Sequence, residues 1–348
     1  VVFCANSIGV YYRSNNMEKW ECFSKNLPNV EITDMQFDYC SNELYVSTYG
    51  RGMWKTPVPF EITSSYQKEI TGVEIWNDTK TLKEDLVVKD GGVLTITGIV
   101  RVAYDKKIII EPGGRVNLDG GILTNYCNDS WYGVEVWGDS QANQAIANQG
   151  LLLMKNGATI ENAKTAIRVW KPEDWSSQGG IVIAHNSVFK NNWRSVEYIS
   201  YHSFNSVGNE LNNRGLFSNC EFVWDNDYEN YFKKDILAAI TMYDVLGVRI
   251  LGCDFLDNRT YIDDFSDRPI GIYSVDAGYR VLGRNLILGQ PTTHTEYNTT
   301  NYDVGQFINL KEGIRATNSN SQSSVIIDHC KFLNSRIGVH IRGVDNSV

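Results

Sequence analysis

The sequence predicts an all-β protein, the larger part of which is a right-handed parallel β-helix, a solenoid of stacked coils. Short apolar strands recur every 25 to 44 residues, Gly (29 residues) and Asn (33 residues) are abundant, and helical periodicity is almost absent. Strands too short to be stable alone must bury their inward faces on neighbouring coils. Gly and Asn readily adopt the left-handed backbone that tight turns between such strands require.

Residues 1–58 have a different character and form the first predicted domain. Residues 8–13, 34–38 and 43–48 are strand-like runs separated by polar turns. Short strands at such close spacing are typical of an antiparallel sheet of the β-propeller-blade type. Pro57 and Pro59 then begin a mostly polar stretch that we interpret as a linker over 59–80.

Two runs in this first domain resemble sialidase-type (BNR repeat) propellers. Residues 9–14, together with Asn16 and Trp20, are similar to a degenerate Asp-box turn, and residues 44–54 (LYVSTYGRGMW) are similar to a closing blade strand. The turn has Asn in place of the usual Asp and lacks its Gly. The resemblance implies the last, incomplete blade of a propeller. It implies no glycosidase active site, because that site is built from several blades.

Repeated motifs over residues 81–348 predict the β-helix domain. Gly-Gly pairs follow apolar runs at 91–92 and 113–114, and a small residue lies two places before Phe in four later copies of a second motif. The first three of these copies are 33 residues apart, and a gap of 77 residues precedes the fourth. We expect a stack of Phe rings, made of Phe189, Phe222, Phe255 and Phe332. Beneath it we expect a column of small residues, Cys220, Cys253 and Cys330. We also expect a ladder of turn residues, Asn226 and Asn258.

A third motif is a short apolar strand that begins with a small residue at 133, 166, 195, 239, 271, 313 and 338. Because side chains alternate along a strand, its second and fourth positions should point inward and its third and fifth outward. The predicted outward columns are Glu135, Arg168, Glu197, Thr241, Tyr273, Arg315 and His340 at the third position, and Trp137, Trp170, Ile199, Tyr243, Val275, Thr317 and Arg342 at the fifth.

This periodicity resembles the pectin-lyase-like superfamily over about residues 82–348. That resemblance allows for polysaccharide-degrading chemistry, either glycoside hydrolysis or lyase chemistry. The motifs of β-helical polygalacturonases are missing, however, apart from the pair Asp263-Asp264. We therefore expect a non-catalytic protein and keep a polysaccharide-degrading enzyme as the alternative, with a structural spacer as a third hypothesis.

The outward columns suggest carbohydrate binding. Aromatic side chains combine a large apolar face with a polar edge, and coils roughly 4.8 Å apart repeat at about the rise of one sugar unit. We expect a polysaccharide or cell-surface glycan to bind Trp137, Trp170 and Tyr243, with polar contacts from Glu135, Arg168 and Glu197. In the alternative interpretation, the insertions at 171–180 and 200–215 or the neighbouring domain cover these rings.

Two acidic groups offer weaker candidates. Asp225, Asp227 and Glu229 form one, and the other is a weak Ca²⁺ candidate made of Asp263, Asp264 and Asp267. Both lie in polar insertions of the kind that usually form solvated turns. The histidines do not cluster at metal-ligand spacing, and no cofactor is expected. Cys22 and Cys40 could pair as strand neighbours, or both could be single thiols.

Composition limits the partners and the location. The net charge of −9 disfavours nucleic acid and anionic membranes, and no stretch approaches 18 consecutive apolar residues. The domain order resembles large secreted multidomain proteins of Bacteroidetes-type bacteria, which commonly carry a type IX secretion sorting domain. The resemblance implies a fragment of an extracellular or cell-surface protein, and we expect a monomer.

Overall fold

A computed structural model describes residues 1–14, 16–38, 40–58, 67–172, 174–232, 235–285, 302–319 and 323–343. The chain divides into two compact units, Val1–Tyr66 and Gln67–Val348. The first unit is a small antiparallel structure. The second is a right-handed parallel β-helix, which confirms the predicted fold class.

The first unit contains two three-stranded antiparallel sheets. Leu44, Val46 and Val58 pack with Val10 to form its small core, so side chains from both sheets meet there. The strand-like runs at 8–13, 34–38 and 43–48 fall on three of its strands. The strands are β1 (Val2–Asn6), β2 (Gly9–Arg13) and β3 (Glu21–Cys22) in one sheet, and β4 (Ile32–Asp38), β5 (Glu43–Thr48) and β6 (Gly52–Pro57) in the other.

The two sheets also settle the proposed pairing of Cys22. Cys22 ends β3 in the first sheet, whereas Cys40 follows β4 in the second. The two residues are therefore not strand neighbours. Cys22 is a free, exposed thiol, so the Cys22–Cys40 disulfide is not formed.

Three long sheets, in which all neighbouring strands are parallel, form the β-helix. Sheet 1 has ten strands: β7 (Gln67–Ile70), β10 (Asp85–Val88), β13 (Lys107–Ile110), β16 (Gly133–Val136), β19 (Ile167–Arg168), β22 (Arg194–Tyr198), β27 (Ala238–Tyr243), β30 (Ile270–Val275), β35 (Glu312–Asn318) and β38 (Ile337–Gly343). Sheet 2 has nine: β8 (Val73–Trp76), β11 (Val93–Ile96), β14 (Arg115–Asp119), β17 (Leu151–Lys155), β20 (Ile181–His185), β25 (Leu216–Ser218), β28 (Leu246–Leu251), β31 (Gly278–Leu282) and β36 (Val325–Asp328).

Sheet 3 also has nine strands: β9 (Lys80–Leu82), β12 (Ile99–Val102), β15 (Ile122–Asn125), β18 (Thr159–Glu161), β21 (Val188–Lys190), β26 (Glu221–Trp224), β29 (Asp254–Asp257), β34 (Gly305–Ile308) and β37 (Cys330–Leu333). Two further pairs of short strands are antiparallel, β23 (Ser203–Phe204) with β24 (Glu210–Leu211) and β32 (Arg284–Asn285) with β33 (Tyr302–Asp303). The described helices are α1 (Tyr228–Tyr231) and a 3-10 turn at Phe265–Asp267.

The first coil consists of β7, β8 and β9 and occupies residues 67–82, which overlap the stretch interpreted as a linker over 59–80. Residues 59–66 of that stretch lie outside the described residues. The strand at 67–70 is hard to recognise in the sequence because Ile70 is its only apolar side chain.

The inward second positions of the third motif are apolar and buried in six of its seven copies, as predicted. In the seventh copy, Val339 and Ile341 are 38% and 37% exposed, and the fourth position of the fifth copy is the polar residue Ser274. The second-position side chains of six coils are at most 1% exposed: Val134, Ile167, Val196, Ile240, Ile272 and Ile314. Their neighbours in the core include a Phe column whose rings stack with centroids 4.5 to 4.8 Å apart: Phe189, Phe222, Phe255, Phe307 and Phe332. The stack confirms the predicted one and adds Phe307, which fills the 77-residue gap.

The column of small residues is also confirmed. Cys220 and Cys253 are 2% exposed, and Gly305 is in register with Cys330. The predicted Asn226–Asn258 ladder is wrong. Trp224 pairs with Asp257, so Asn226 is one residue out of register with Asn258 and donates instead to Thr260 Oγ1 at 3.0 Å.

The turn ladder lies elsewhere. Asn156, Asn186 and Asn219 follow successive strands of sheet 2, and all three adopt left-handed backbone, with φ between 46° and 59°. Asn219 Nδ2 donates to Asn186 Oδ1 at 2.7 Å. Asn is one of the few residues that tolerates this conformation, which explains its presence at these three turns.

We expect Phe255→Ala to destabilise the β-helix by about 3–5 kcal/mol, because it leaves a cavity between two stacked rings. The control is Phe204→Ala, since this ring is 51% exposed and its loss should cost less than about 1 kcal/mol. Urea unfolding followed by circular dichroism measures both midpoints. Equal midpoint shifts for the two variants would show that the stack is not a stabilising element.

Candidate functional site

The outward third-position column forms a register-aligned row on sheet 1. Glu135 pairs with Arg168, and Arg168 pairs with Glu197 on the next strand. The strand pairing then continues the row as predicted through Thr241, Tyr273, Arg315 and His340. Residues far apart in sequence are thereby brought onto adjacent coils of one face.

The charged side chains of this row bind one another. Lys107 Nζ lies 2.9 Å from Glu135 Oε1, Arg168 Nε lies 3.1 Å from Glu197 Oε2, and Arg194 also contacts Glu197. Glu135 is only 3% exposed, although its position is outward. The flanking cations and Trp137 cover its carboxylate. Glu135 is therefore not available at the surface for the predicted contact with a ligand.

The two tryptophans of the fifth column are partly buried and held by this charge network. Trp137 Nε1 donates to Glu135 Oε2 at 3.0 Å, and Trp170 Nε1 donates to Glu197 Oε2 at 3.2 Å. Lys171 Nζ lies 4.7 Å from the centre of the Trp137 ring. The polar edges of both rings are therefore occupied by the protein itself.

Tyr243 lies at the end of β27, and its side chain is 49% exposed. Tyr243 pairs with Val275, Val275 with Thr317 and Thr317 with Arg342. This pairing confirms the predicted fifth-position column from β27 to β38. Among the three aromatic residues proposed from the sequence, Tyr243 is the exposed one.

Trp175, which was not among the predicted site residues, lies beside Trp170 of the fifth-position column. Trp175 lies in the insertion after β19, and its ring centroid is 5.6 Å from that of Trp170. Its side chain is 62% exposed. The insertion therefore adds an exposed ring beside Trp170 as well as covering part of the face.

Three insertions of successive coils, at 138–150, 171–180 and 199–215, meet beyond the ends of β16, β19 and β22. Ser140 N donates to Ser176 O at 3.0 Å, which joins the first insertion to the second. Tyr201 Oη donates to Ala142 O at 2.7 Å, which joins the third to the first. Gln144 is buried and bridges all three, since its amide donates to Gly179 O and accepts from Arg214 N.

These braced insertions line an open pocket of about 460 Å³. Its lining consists of residues 140–143, Trp175, Gln178, Ser200, Tyr201, His202 and Phe204. Trp175 and Phe204 expose their rings, at 62% and 51%. Among the described residues that line the pocket, none is Asp, Glu, Lys or Arg.

Two polar groups in the lining have unusual surroundings. Gln178 is 6% exposed, and its Oε1 is buried without a hydrogen-bond partner. His202 lies between two carboxylates, with Nδ1 2.5 Å from Glu210 Oε1 and Nε2 3.2 Å from Asp244 Oδ1. Burial opposes the charged imidazole, but these two carboxylates raise the pKa of His202 above its ordinary value.

The acidic candidates have local structural contacts. Asp225 pairs with Lys190 at 2.9 Å, and Asp264 caps the 3-10 turn by accepting from Ser266 N at 2.7 Å. Asp263 and Asp267 are exposed neighbours of that cap. Within the described parts of the chain, no group of three or more His, Cys, Asp or Glu side chains is arranged to hold a metal ion.

Comparisons of the chain with protein-family models, with curated proteins and with solved structures gave no match. In the described ranges, no helix has the length and apolar character needed to cross a membrane. Function therefore has to be inferred from the pocket and its surroundings.

Sequence reasoning placed the charged row but missed the pocket residues Trp175, Gln178 and His202. A usable signal was present, because the insertions at 171–180 and 200–215 leave adjacent coils at the same edge of one sheet. The hydrogen bonds that fold the insertions against each other could not be deduced from spacing.

We expect Glu135→Ala to destabilise the protein by about 3–5 kcal/mol, because it leaves Lys107 without its buried carboxylate partner. Glu111→Ala is the matched control, since it breaks the more exposed Lys89–Glu111 pair and should cost about 1 kcal/mol or less. Thermal melts of both variants provide the comparison. A Glu135 variant as stable as the control would contradict the buried-network assignment.

We expect the stabilisation by His202 to fall as pH rises. Its folded-state pKa lies above the ordinary value of 6.5, so the contribution is complete below 6.5 and disappears as pH rises through the folded pKa. The measurement is the difference in Tm between wild type and His202→Asn from acidic to alkaline pH. A difference that stays constant with pH would refute the ion-pair role.

Proposed function

We propose that this protein is a non-catalytic glycan-binding β-helix whose ligand occupies the pocket formed by the three insertions. The observation that carries the proposal is the lining, which combines two exposed aromatic rings with amide and hydroxyl groups. Sugars present apolar C–H faces and many hydroxyl groups, so rings such as Trp175 and amides such as Gln178 match both parts of their surface.

The dimensions and bracing of the pocket also support binding. A volume of about 460 Å³ lies within the ordinary range of ligand pockets and accommodates one or two sugar rings. Because the insertions are joined by Gln144 and Tyr201, the pocket is organised before a ligand arrives. Preorganisation lowers the entropic cost of binding.

The contacts of the Glu135 and Glu197 carboxylates favour ligand binding over glycoside hydrolysis as the function of this face. Glycoside hydrolysis needs two carboxyl groups on either side of the bond that is cleaved. Glu135 and Glu197 instead accept hydrogen bonds from Trp137 and Trp170 and pair with cations. These two carboxylates of the charged row are thus engaged in contacts within the protein, which favours the binding role for this face.

The location is proposed together with the function. We expect the protein to meet this ligand outside the cell or at its surface. The resemblance to secreted multidomain proteins of Bacteroidetes-type bacteria, and to propeller and pectin-lyase-like domains within them, supports an extracellular or cell-surface site. Tyr243, exposed on a nearby coil, is available to extend the contact with a longer chain.

We expect Trp175→Ala to weaken glycan binding about tenfold or more, because stacking on an exposed ring contributes directly to affinity. The matched control is Trp20→Ala, which removes a similarly exposed ring from the first unit. A glycan-array screen of the intact protein, followed by titration of its hits, measures both variants.

A reducing-sugar assay on the same hits separates the alternatives. Binding without sugar release is the expected result. Release of sugar from a bound glycan would establish the degradative enzyme instead, and a protein without any glycan ligand would be left as a structural spacer.

A further inference from the structure

We propose that His202 is a positioning residue that acts as a pH-dependent latch for one wall of the pocket. We call residues 203–211 the arm. Protonated His202 ties the arm to the coils, and neutral His202 lets the arm swing away from the pocket. The latch follows from contacts within the protein, whereas its effect on ligand affinity rests on the proposed function.

The arm is a self-contained piece of chain. Its strands β23 and β24 pair with each other, and Asn205 N donates to Asn209 O at 2.9 Å in the turn between them. Every residue from 206 to 212 is exposed, and Val207 reaches 80%. A segment with so little buried surface depends on a few specific contacts to keep its position.

The chain on either side of the arm is anchored to the next coil. Tyr201 N donates to Asp244 O at 3.2 Å, and Asn213 N donates to Leu246 O at 2.7 Å. Tyr201 and Asn213 are both buried. The arm can therefore move about these two anchors without unfolding the coils, and this movement carries the exposed ring of Phe204 out of the pocket lining.

His202 supplies the ionic link between the arm and the coils. Glu210 is the only charged residue of the arm, and its Oε1 lies 2.5 Å from His202 Nδ1. On the other side of the ring, Asp244 Oδ1 lies 3.2 Å from Nε2, and Asp244 belongs to the turn between β27 and β28. Ser200 Oγ donates to Asp244 at 2.6 Å and holds that carboxylate in place. The described residues that line the pocket add no carboxylate, Lys or Arg beside the ring.

The protonation state of His202 decides whether both links can form. A protonated imidazole donates from both ring nitrogens, whereas a neutral one donates from one nitrogen and turns a lone pair toward the other carboxylate. Loss of the proton also leaves Glu210 and Asp244 as like charges on either side of an uncharged ring. Because Glu210 lies on the arm, deprotonation releases the arm.

The direction of the pH dependence follows from the same contacts. Burial opposes the charged ring, but Glu210 and Asp244 raise the pKa of His202 above its ordinary value of 6.5. The arm is therefore held below pH 6.5 and is released as the pH rises through the folded-state pKa. Ligand binding should weaken over the same range, because the pocket loses one wall.

The first test measures the arm without a ligand. Thermolysin cleaves before apolar residues, of which Phe204 and Val207 are exposed on the arm, and cleavage requires local opening of the chain. Cleavage rates within the arm are compared for wild type and His202→Gln at each pH from weakly acidic to weakly alkaline, so that the pH dependence of the protease cancels. The wild-type arm should be cleaved about tenfold more slowly than the variant at the acidic end and equally fast at the alkaline end.

Two further variants separate the latch from a general effect on stability. Glu210→Gln removes the charge of the arm and retains His202, so this arm should be cleaved rapidly at every pH. His340→Gln is the matched control, because His340 Nδ1 also lies near a carboxylate, 3.3 Å from Glu312 Oε2, but outside the insertions. It should leave cleavage of the arm unchanged. A ratio of wild-type to His202→Gln cleavage that does not change with pH overturns the latch.

The second test measures whether the latch controls binding. Cellohexaose, mannohexaose and chitohexaose are titrated against wild type and His202→Gln over the same pH range. The affinity of wild type should fall about tenfold toward alkaline pH, and the affinity of the variant should stay constant. Binding that does not depend on pH overturns the control of the pocket. Failure of these hexasaccharides and of every glycan in the array screen to bind overturns the proposed function, while the cleavage ratio still decides the latch.

Discussion

Strand hydrogen bonds that run from coil to coil set the geometry of the β-helix. Each strand of the three long sheets pairs with the corresponding strand of the next coil. A slip of one residue would turn Val134, Ile167 and Val196 out of the core. Burial of these side chains therefore fixes the register, and the register fixes which outward side chains meet.

The strand register determines which charged side chains of this row contact one another. Glu135, Arg168 and Glu197 come from adjacent strands, so opposite charges form ion pairs across the coils. Their carboxylates also hold the indole N–H groups of Trp137 and Trp170. The sequence suggests that this face binds a ligand. In the folded protein, most of its polar groups form hydrogen bonds and ion pairs with one another.

The candidate pocket lies beside this face, in the insertions. Because consecutive coils are stacked, loops that leave the same edge of sheet 1 are neighbours even though residues 151–170 and 181–198 separate them along the chain. Backbone and side-chain hydrogen bonds then hold these loops together. The solenoid supplies the rigid base, and the loops supply the exposed rings of Trp175 and Phe204 at the pocket.

The sequence alone determined the β-helix, its inward columns, the Phe stack and the order of the outward row, because alternation and repeat length are local properties that stacking preserves. It missed Phe307, since an insertion of irregular length hides its spacing, and it placed Asn226 one residue out of register with its assumed partner. Only the tertiary structure decided that Glu135 is covered, that Trp175 is exposed and that Gln178 and His202 share a pocket. Those outcomes depend on how three irregular loops pack, and no periodic pattern encodes contacts between loops.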